Sequence, residues 1–385
     1  MKPIIVIRYG EISLKGKNRN FFENVLIKNL QKQLKDFPLT VHRRFGRVLI
    51  QLEDEIDQEV LKNKLEHVFG IENFSFGYSV DLDVDEMEKA AVRLLNETKT
   101  WDSFRIRTRR SNKNFPIRSM TLDRQIGGNV SDLFPEKKVQ LKDPDVSIFI
   151  EVSDKETFVS GKKHKGAGGL PIGVSADVLC LVSGGIDSPV AAWYAMKRGS
   201  RVHFVHFHSA PYTSKASIEK VEELVEILSQ WQGPSTLINV PFIDVQKTIM
   251  TSAKSTYGVI LYRRFMVRIA EHFAEILKAK ALVTGEAVGQ VASQTIENMT
   301  VVNDVATMPI IRPLVSFDKS EIMALAERIG TYETSIVPHD DCCTLFVPKH
   351  PVIHASRKNT EEQEKGLDIE SLIQAAMKKA EKKVI

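Results

Sequence analysis

The sequence predicts a protein of α/β and α+β class in which two small mixed units precede a doubly wound parallel sheet. Its 385 residues exceed the usual length of one compact domain, and 43% of them are hydrophobic, enough for several buried cores. The first 80 residues combine strand and helix patterns around one hairpin, whereas single strands alternate with helices beyond residue 170. We therefore expect three domains.

The first unit has the element order of a ferredoxin-like domain. Strand patterns cover residues 4–8 and 74–80, helix patterns cover 19–34 and 57–68, and a hairpin turns at 45–46 between them. This order, β-α-β-β-α-β, is typical of a ferredoxin-like fold. We place the domain at residues 1–60, or to about residue 80 if the last strand is included.

A second small α/β unit follows at residues 61–165. Its predicted helices are 85–96 and 122–134, and its predicted strands are 104–109, 146–152 and 157–160. Residues 161–173 are so rich in glycine and lysine that we expect no packed element there, and we place a linker at 166–175.

The third domain, residues 176–385, reads as a parallel sheet. Strands are predicted at 178–182, 202–207, 236–240 and 281–284, and helices at 189–199, 214–230, 258–279 and 318–329, with a charged terminal helix at 369–383. Ligands bind beyond the carboxyl ends of strands in such sheets. The residues from Ser183 onward, His206 with Phe207, and Gly285 with Glu286 should therefore border one crevice.

A glycine-rich loop, SGGIDS from Ser183 to Ser188, directly follows the first of these strands. Paired glycines let backbone N–H groups approach an anion, and the N-terminus of the next helix adds free donors and partial positive charge. Pro189 suits the first helical position, where its missing N–H costs nothing. The loop predicts a site for ATP phosphates; a turn that only joins strand to helix is the alternative.

Positive charge gathers in the second unit, although the net charge of the chain is only +4. The strand around 104–110 alternates, so Arg105, Arg107 and Arg109 should share one face. Such a row attracts phosphates, and a solvated charged strand is the alternative.

Cysteine usage and the N-terminus indicate a cytoplasmic protein without membrane association. Only Cys180, Cys342 and Cys343 occur, too few for a disulfide framework. The opening residues lack the apolar core of a signal peptide, and no later run is long enough to cross a bilayer.

Motifs along the whole chain resemble those of one family. They are RYGEISLKGKNR, FRIRTRRSNKNFPIRS, HKGAGGLPIG, SGGIDSPVA, VHFHS, TGEAVGQVASQT, RPL and DDCC. Together they resemble the tRNA 4-thiouridine synthetases (tRNA uracil 4-sulfurtransferases), PP-loop ATP pyrophosphatases with ferredoxin-like and THUMP domains. The resemblance implies adenylation of O4 of the tRNA uridine at position 8 and its replacement by sulfur from a persulfide.

The resemblance also implies a set of nucleotide-binding residues. Asp187 is implied as catalytic, and Mg²⁺ is inferred from ATP chemistry. The alternative for His206 is that its side chain only packs at the end of a strand. The alternative for Arg263 is that it lies on an exposed helix face. Gln290 and Ser293 have two equal interpretations: they contact ATP, or they are polar loop residues that hydrogen-bond to their own backbone. The implied ATP contacts are Leu181, Val182, Ser183, Gly184, Gly185, Asp187, Ser188, His206, Phe207, Arg263, Gly285 and Gln294.

One cysteine of the adjacent pair, Cys342 or Cys343, is implied as the thiol of a sulfur relay, and we narrowly favour Cys342. An inert buried pair is one alternative. An iron-sulfur cluster using all three cysteines is another, although Cys180 reads as a small core residue.

The partners implied by the resemblance are tRNA, a cysteine desulfurase or another persulfide donor, and a second copy of the chain in a homodimer. The THUMP domain of the family grips the acceptor end of tRNA, and the target uridine must be turned out of its stack. The candidate tRNA-binding residues are Arg105, Arg107, Arg109, Arg110, Lys113, Arg118, Lys162, Lys163 and Lys165.

Two other functions compete with this one. Another PP-loop ATP-dependent RNA-modifying ligase would not need Cys342 and Cys343, and an RNA-binding module that has lost catalysis would not need the intact SGGIDS loop.

Several family members carry a C-terminal rhodanese-like domain to which sulfur transfer for the thiamine thiazole is attributed. This sequence stops before one, which leaves a thiamine role open.

Overall fold

The structure is a computed structural model, and it describes residues 1–44, 46–54, 56–212, 214–338, 346, 348 and 350–385. The chain divides into two compact units, Met1–Pro171 and Ile172–Ile385. Cys342 and Cys343 lie outside the described residues.

The first part of unit 1 has the predicted β-α-β-β-α-β order. Its strands form one antiparallel stretch in the order β2-β3-β1-β4. The central strand β1 supplies four consecutive buried residues, because α1 and α2 cover one face of the sheet and further side chains cover the other. The elements are β1 (Lys2–Arg8), α1 (Arg19–Gln33), β2 (Leu39–Arg44), β3 (Arg47–Leu52), α2 (Gln58–Glu66) and β4 (Asn73–Val80).

The second part continues the same sheet. Strand β8 pairs with β4 in antiparallel register, and the result is a nine-stranded sheet in the order β2-β3-β1-β4-β8-β7-β5-β6, with β9 also paired to β4. The new elements are α3 (Val84–Glu97), β5 (Ser103–Arg110), α4 (Ser119–Leu133), β6 (Lys138–Val139), β7 (Val146–Val152), β8 (Thr157–Ser160) and β9 (His164–Lys165).

Gly77 makes the junction between β4 and β8 possible. A Cβ at this position would lie 2.1 Å from the carbonyl oxygen of Val159, so only glycine lets the two strands approach. The sequence predicted two separate units, and this shared sheet was not expected.

The expectation that residues 161–173 hold no packed element is wrong in part. His164–Lys165 forms β9, in which His164 pairs with Phe74 and stacks on its ring. Gly166 lies so close to Ile71 that a Cβ would come within 2.2 Å of its carbonyl oxygen. The segment is therefore ordered both by close backbone packing and by side chains such as His164.

Unit 2 alternates strands and helices as predicted. Its elements are β10 (Val178–Leu181), α5 (Asp187–Lys197), β11 (Val202–His208), α6 (Ala216–Gln232), β12 (Thr236–Pro241), α7 (Ile243–Ser252), α8 (Gly258–Ile276), β13 (Leu282–Val283), α9 (Ile296–Asn303), β14 (Ile310–Ile311), α10 (Lys319–Ile329), α11 (Tyr332–Ile336), α12 (Arg357–Glu364), α13 (Ile369–Lys378) and β15 (Glu381–Val384). In the part of unit 1 and unit 2 that is described, no helix is long and apolar enough to span a membrane.

The sheet of unit 2 has the order β14-β13-β10-β11-β12-β15. All neighbours are parallel except β12 and β15. The apolar core on one side of it is built largely by α8, which buries a long row of side chains against β10, β11 and β12. The predicted parallel doubly wound sheet is thus confirmed, with one antiparallel edge strand added.

Two predictions for unit 2 need correction. The charged helix expected at 369–383 ends at Lys378, and the residues after it form β15, whose backbone pairs with β12. The lysine-rich sequence of β15 lacks the alternation of apolar and polar residues by which a strand is predicted, because this strand lies at an exposed sheet edge. Helix α5 begins at Asp187, so Pro189 is its third residue, still within the first turn where an N–H needs no helical partner.

A buried ion cluster ties α8 to α12. Glu364 accepts hydrogen bonds from Arg264 (2.7 and 2.9 Å) and from Arg268 (2.7 and 2.9 Å), and Arg264 also donates to the carbonyl of Val301. Burial raises the pKa of the Glu364 carboxyl, but Arg268 and Arg264 act in the opposite direction and leave it below its ordinary value.

We predict that Glu364→Gln destabilises the protein by about 3–5 kcal/mol, because it leaves the buried Arg264 and the partly buried Arg268 without their countercharge. The folded pKa of Glu364 is depressed, so its stabilisation is present above the unfolded pKa of about 4.3 and is lost as the pH falls through the folded value. Urea unfolding of wild type and variant between neutral and acidic pH measures both effects. Glu361→Gln on the same helix, an exposed residue, is the control, and an equal loss in both variants would contradict the prediction.

Candidate active site

A crevice opens at the carboxyl ends of β10, β11 and β13 in unit 2. Its cavity volume is about 230 Å³, and its mouth is open to solvent. Every residue predicted to contact the nucleotide lines it except Gly184. The lining residues are Leu181, Val182, Ser183, Gly185, Asp187, Ser188, His206, Phe207, Arg263, Met266, Val267, Thr284, Gly285, Glu286, Gln294, Val302, Ile310 and Arg312.

The loop between β10 and α5 is held by one buried hydroxyl. The Oγ of Ser188 accepts from the backbone N–H of Ser183 (2.9 Å) and donates to the carbonyl of the same residue (3.2 Å). No side chain among the described residues caps the N-terminus of α5. The first turn of the helix therefore presents backbone donors and its dipole to the crevice.

Gly285 brings the loop after β13 against this helix start. A Cβ at Gly285 would lie 2.7 Å from the amide nitrogen of Ser188 and 2.8 Å from the carbonyl carbon of Asp187. The resemblance implies a contact between Gly285 and ATP. The structure shows that this glycine also admits one segment of backbone to another.

An ion cluster on the wall of the crevice joins Glu286, which the sequence placed at the border of the crevice, to Arg263, Arg312 and Thr284. The sequence assigned no role to Arg312 and Thr284. Glu286 accepts from Arg263, from Arg312 (2.6 Å) and from the hydroxyl of Thr284 (2.9 Å). Burial raises the pKa of the Glu286 carboxyl, but the two arginines outweigh burial and leave it below its ordinary value. The ionised carboxylate thus holds both guanidinium groups at the crevice.

Lys319 is a further residue that the sequence did not single out. Its Nζ donates to Oδ1 of Asp187 at 2.6 Å, and it is the first residue of α10. A capping box formed by Asp318 and Glu321 fixes the start of this helix. That D-x-x-E pattern is visible in the sequence and could have located the helix start, but it says nothing about Asp187.

The crevice wall also contains apolar residues and one buried amide. Phe207 and Val182 are buried there, and Nδ1 of His206 lies 3.1 Å from the carbonyl of Val182. Oε1 of Gln294 is buried without a hydrogen-bond partner in the part of the chain that the structure describes. A buried polar atom of this kind is usually satisfied by water or ligand.

Cys180 is confirmed as a core residue. It is fully buried in β10, and burial raises the pKa of its thiol, so it is a poor nucleophile and an inaccessible metal ligand. The roles predicted for Cys342 and Cys343 fall outside the described residues.

The basic strand of unit 1 has the predicted alternation. Arg107 and Arg109 are exposed and Arg105 is half-buried on one face of β5, while Ile106 and Thr108 are buried on the other. Arg110 donates to the carbonyls of Phe115 and Ile117, so its guanidinium orders the following loop. The remaining predicted cations Lys113, Arg118, Lys162, Lys163 and Lys165 are exposed.

Lys163 has a distinct environment on this sheet. Its Nζ lies 4.4 Å from the centre of the Phe149 ring. Partial burial and the charges of Arg8, Arg107 and Arg105 lower the pKa of its ammonium group, and Glu151 opposes them. Several cations thus share one region and repel one another, which an anionic partner relieves.

Comparison with known proteins matches three family models in succession. These are the ThiI ferredoxin-like domain over residues 4–75, the THUMP domain over 82–161, and the family described as thiamine biosynthesis protein (ThiI) over 173–369.

Relatives and one solved structure match over nearly the full chain. A probable tRNA sulfurtransferase of Brevibacillus brevis is 42% identical over 98% of this chain and 95% of the relative. Another from Coxiella burnetii is 40% identical over 99% and 98%. A crystal structure of a 4-thiouridine synthetase–RNA complex with bound ATP matches with a TM-score of 0.93 and 36% identity, covering 100% of both chains. From its fold, its crevice and these relatives, the chain belongs to the ThiI family.

Proposed function

We propose that this protein is an ATP-dependent tRNA sulfurtransferase that converts the uridine at position 8 to 4-thiouridine. The full-length likeness to a 4-thiouridine synthetase solved with RNA and ATP is the observation that carries the proposal. The crevice in unit 2 supplies the groups that such chemistry needs, and the basic strand in unit 1 supplies a surface for tRNA phosphates.

ATP lies in the crevice with its triphosphate at the start of α5. Backbone donors around Ser183 and Gly185 and the helix dipole favour the phosphates there. Arg263 and Arg312, already held by Glu286, add fixed positive charge without a large ordering cost on binding. Adenosine contacts the apolar lining of the crevice that includes Phe207, and the amide oxygen of Gln294, which has no partner among the described residues, accepts a hydrogen bond from the nucleotide.

The residues at the phosphate end fit a magnesium ion held together with the nucleotide. Two carboxylates line the crevice, and Glu286 is engaged by two arginines, which leaves Asp187 as the protein oxygen ligand. Mg²⁺ commonly binds through one carboxylate and substrate phosphates. When bound, it neutralises charge on the phosphate oxygens and on departing pyrophosphate. With Mg²⁺ bound to Asp187, Lys319 would no longer pair with this carboxylate and would be free to contact phosphate.

The chemistry begins with activation of a poor leaving group. O4 of uracil attacks the α-phosphorus of ATP, the bond to the bridging oxygen breaks, and pyrophosphate departs. The outer sulfur of a persulfide then bonds to C4, and AMP leaves with the former O4. A second thiol attacks the carrier sulfur, which breaks the S–S bond, leaves the outer sulfur on C4 and joins the two thiols as a disulfide. The protein contributes chiefly position and charge complementarity in these steps.

Cys342 or Cys343 serves as the thiol of the relay. One of them receives the persulfide from a cysteine desulfurase or another donor, or releases the sulfur by forming a disulfide that a thiol reductant later opens.

The homodimer expected from the resemblance stays a prediction, and gel filtration with light scattering tests it.

We predict that wild-type protein incubated with tRNA, ATP, magnesium and a persulfide source replaces one uridine oxygen by sulfur, as read by mass spectrometry of digested tRNA. The Cys342→Ser/Cys343→Ser double variant should lose this product and still bind ATP, because every described group that lines the crevice is unchanged in it.

Cys180→Ala is the control, since Cys180 is buried in the core and should leave the product intact apart from a modest loss of stability. Continued thiolation by the double variant would reject the relay, and a different ATP-dependent RNA modification in the wild type would favour another PP-loop ligase.

Gly285→Ala should weaken ATP binding about tenfold or more, because its Cβ would push the start of α5 away from its present position. Isothermal titration with a non-hydrolysable ATP analogue measures this. Gly258→Ala, whose Cβ would meet only the Tyr262 side chain at ordinary distances, is the matched control. Equal affinities in the two variants would show that this contact does not shape the site.

Arg107→Ala and Arg109→Ala should each weaken tRNA binding and lower the slope of log K against log salt by about one, because each removes roughly one phosphate contact. Filter binding over a salt series gives both quantities. Lys89→Ala, an exposed charge on α3, which packs against the opposite face of the sheet, controls for net charge. The same slope change in this control would argue against a site on β5.

A further inference from the structure

We propose that Glu151 is a positioning residue that holds Arg8 and Arg47 in place as part of the tRNA-binding surface of unit 1. This inference rests on the function proposed above, in which the tRNA contacts lie on β5 and on the lysines near it. Arg8 belongs to β1 and Arg47 to β3, in the ferredoxin-like part of the unit. Neither is among the cations predicted from the sequence to bind tRNA.

The register of the shared sheet places Glu151 on the same face as the arginine row of β5. Glu151, on β7, lies directly opposite Arg109 on β5. Paired residues of neighbouring strands share a face, and so do alternate residues along one strand. Followed through β8, β4, β1 and β3, this rule puts Arg8 and Arg47 on the face of Glu151. Helices α1 to α4 pack on the other face.

The sheet curves toward this face until distant strands meet. Strands β1, β4 and β8 separate β3 from β7, a path of roughly 19 Å at the ordinary strand spacing of about 4.8 Å. An arginine and a glutamate side chain cannot span that path in a flat sheet, yet Glu151 accepts hydrogen bonds from both Arg8 and Arg47. The concave face covers a small apolar core that includes Phe158, whose ring centre lies 5.6 Å from the Arg47 guanidinium.

Both oxygens of the Glu151 carboxylate are occupied by these two guanidinium groups. Oε1 accepts from Arg8 and Oε2 from Arg47, and all three side chains are partly exposed. Arg8 also donates to the Oγ of Ser75 at 3.2 Å. The other N–H donors of both guanidinium groups have no hydrogen-bond partner among the described residues, so they are available to an anion.

The carboxylate is ionised at neutral pH. Burial raises the pKa of the Glu151 carboxyl, but the charges of Arg8 and Arg47 outweigh burial and leave it below its ordinary value. Glu151 therefore fixes the position of both guanidinium groups by charge as well as by hydrogen bonds.

Lys163 connects these two arginines to the cations of β5. Its Nζ lies over the ring of Phe149, which is opposite Arg107 in the sheet. After burial, the charge of Arg8 contributes most to lowering the pKa of the Lys163 ammonium group, and Arg107 and Arg105 follow. Arg8 and the β5 row thus act on one ammonium group, and a polyanion on this face meets a continuous positive field.

A carboxylate within such a surface repels phosphate directly, so it is unfavourable unless it has a further effect. Here it holds two flexible arginine side chains in position before RNA arrives, which reduces the conformational entropy that they lose on binding. Glu286 has the same relation to Arg263 and Arg312 in the crevice of unit 2.

The test measures tRNA binding by Glu151→Gln in the full chain, by filter binding over a salt series. The substitution keeps the size of the side chain and removes one negative charge, so net charge alone predicts tighter binding. Positioning predicts the opposite, because the single amide oxygen of glutamine cannot replace both carboxylate oxygens. We expect the affinity to fall about fivefold or more and the slope of log K against log salt to fall by about one.

A second comparison asks whether Glu151 acts through the two arginines. Arg8→Ala/Arg47→Ala should itself weaken tRNA binding. In that background Glu151→Gln has no guanidinium left to release, so it should change the affinity by less than about twofold or make binding tighter.

Glu156→Gln is the matched control for charge. Glu156 lies 3.2 Å from Arg44 and accepts from the hydroxyl of Ser79 at 2.6 Å on the same concave face, so the variant removes an equal charge nearby. It should bind tRNA as tightly as wild type or more tightly. Glu151→Asp keeps the charge but shortens the side chain, and it should weaken binding to a smaller extent. It replaces Glu151→Gln if thermal unfolding followed by circular dichroism shows that the glutamine variant does not fold.

The outcomes separate the two proposals. Wild type that fails to bind tRNA overturns the proposed function and this inference with it. Wild type that binds tRNA, with Glu151 variants that bind equally well or more tightly, overturns the positioning role and leaves the function standing. An equal loss in Glu156→Gln, or an undiminished effect of Glu151→Gln without the two arginines, also overturns the positioning role, because the loss would then not pass through Arg8 and Arg47.

Discussion

The close approach of Gly285 to the backbone of Asp187 and Ser188 is the constraint on which the crevice depends. Two neighbouring parallel strands end there, and their following loops touch backbone to backbone with no side chain between them. This contact directs the first turn of α5 into the space between the strand ends. The arrangement of backbone donors at this loop therefore comes from packing as much as from the glycines within it.

Charge at this site is arranged around two carboxylates with different tasks. Glu286 is buried and engaged by two arginines, so it acts as a fixed anchor that keeps cationic groups oriented before a ligand arrives. Asp187 is more exposed and paired with one lysine, so its partner can exchange. Preorganised cations beside an exchangeable carboxylate suit a reaction in which a polyanion binds and then loses pyrophosphate.

Unit 1 shows a different use of sheet geometry. Because β8 pairs with β4, the two N-terminal domains share one nine-stranded sheet and cannot move as independent bodies without breaking that ladder. The arginines of β5 and the Lys163 environment lie on this continuous support, which gives a polyanion a rigid array of charges. An array held by a sheet loses less entropy on binding than cations on a flexible linker would.

The sequence by itself determined the main strands and helices of both units, the glycine loop, the alternation on β5 and the core role of Cys180, because each depends on local periodicity or on residue chemistry. Most lining residues of the crevice could also be predicted from the sequence, because the carboxyl ends of parallel strands meet at one edge of the sheet. Only the tertiary structure decided the shared sheet through Gly77, the strand β15 in place of a helix, and the partnerships of Glu286, Lys319 and Glu151. These join residues far apart in the chain, such as Asp187 with Lys319 and Glu151 with Arg8. No local pattern records such pairs, because their energy exists only once the fold has brought them together.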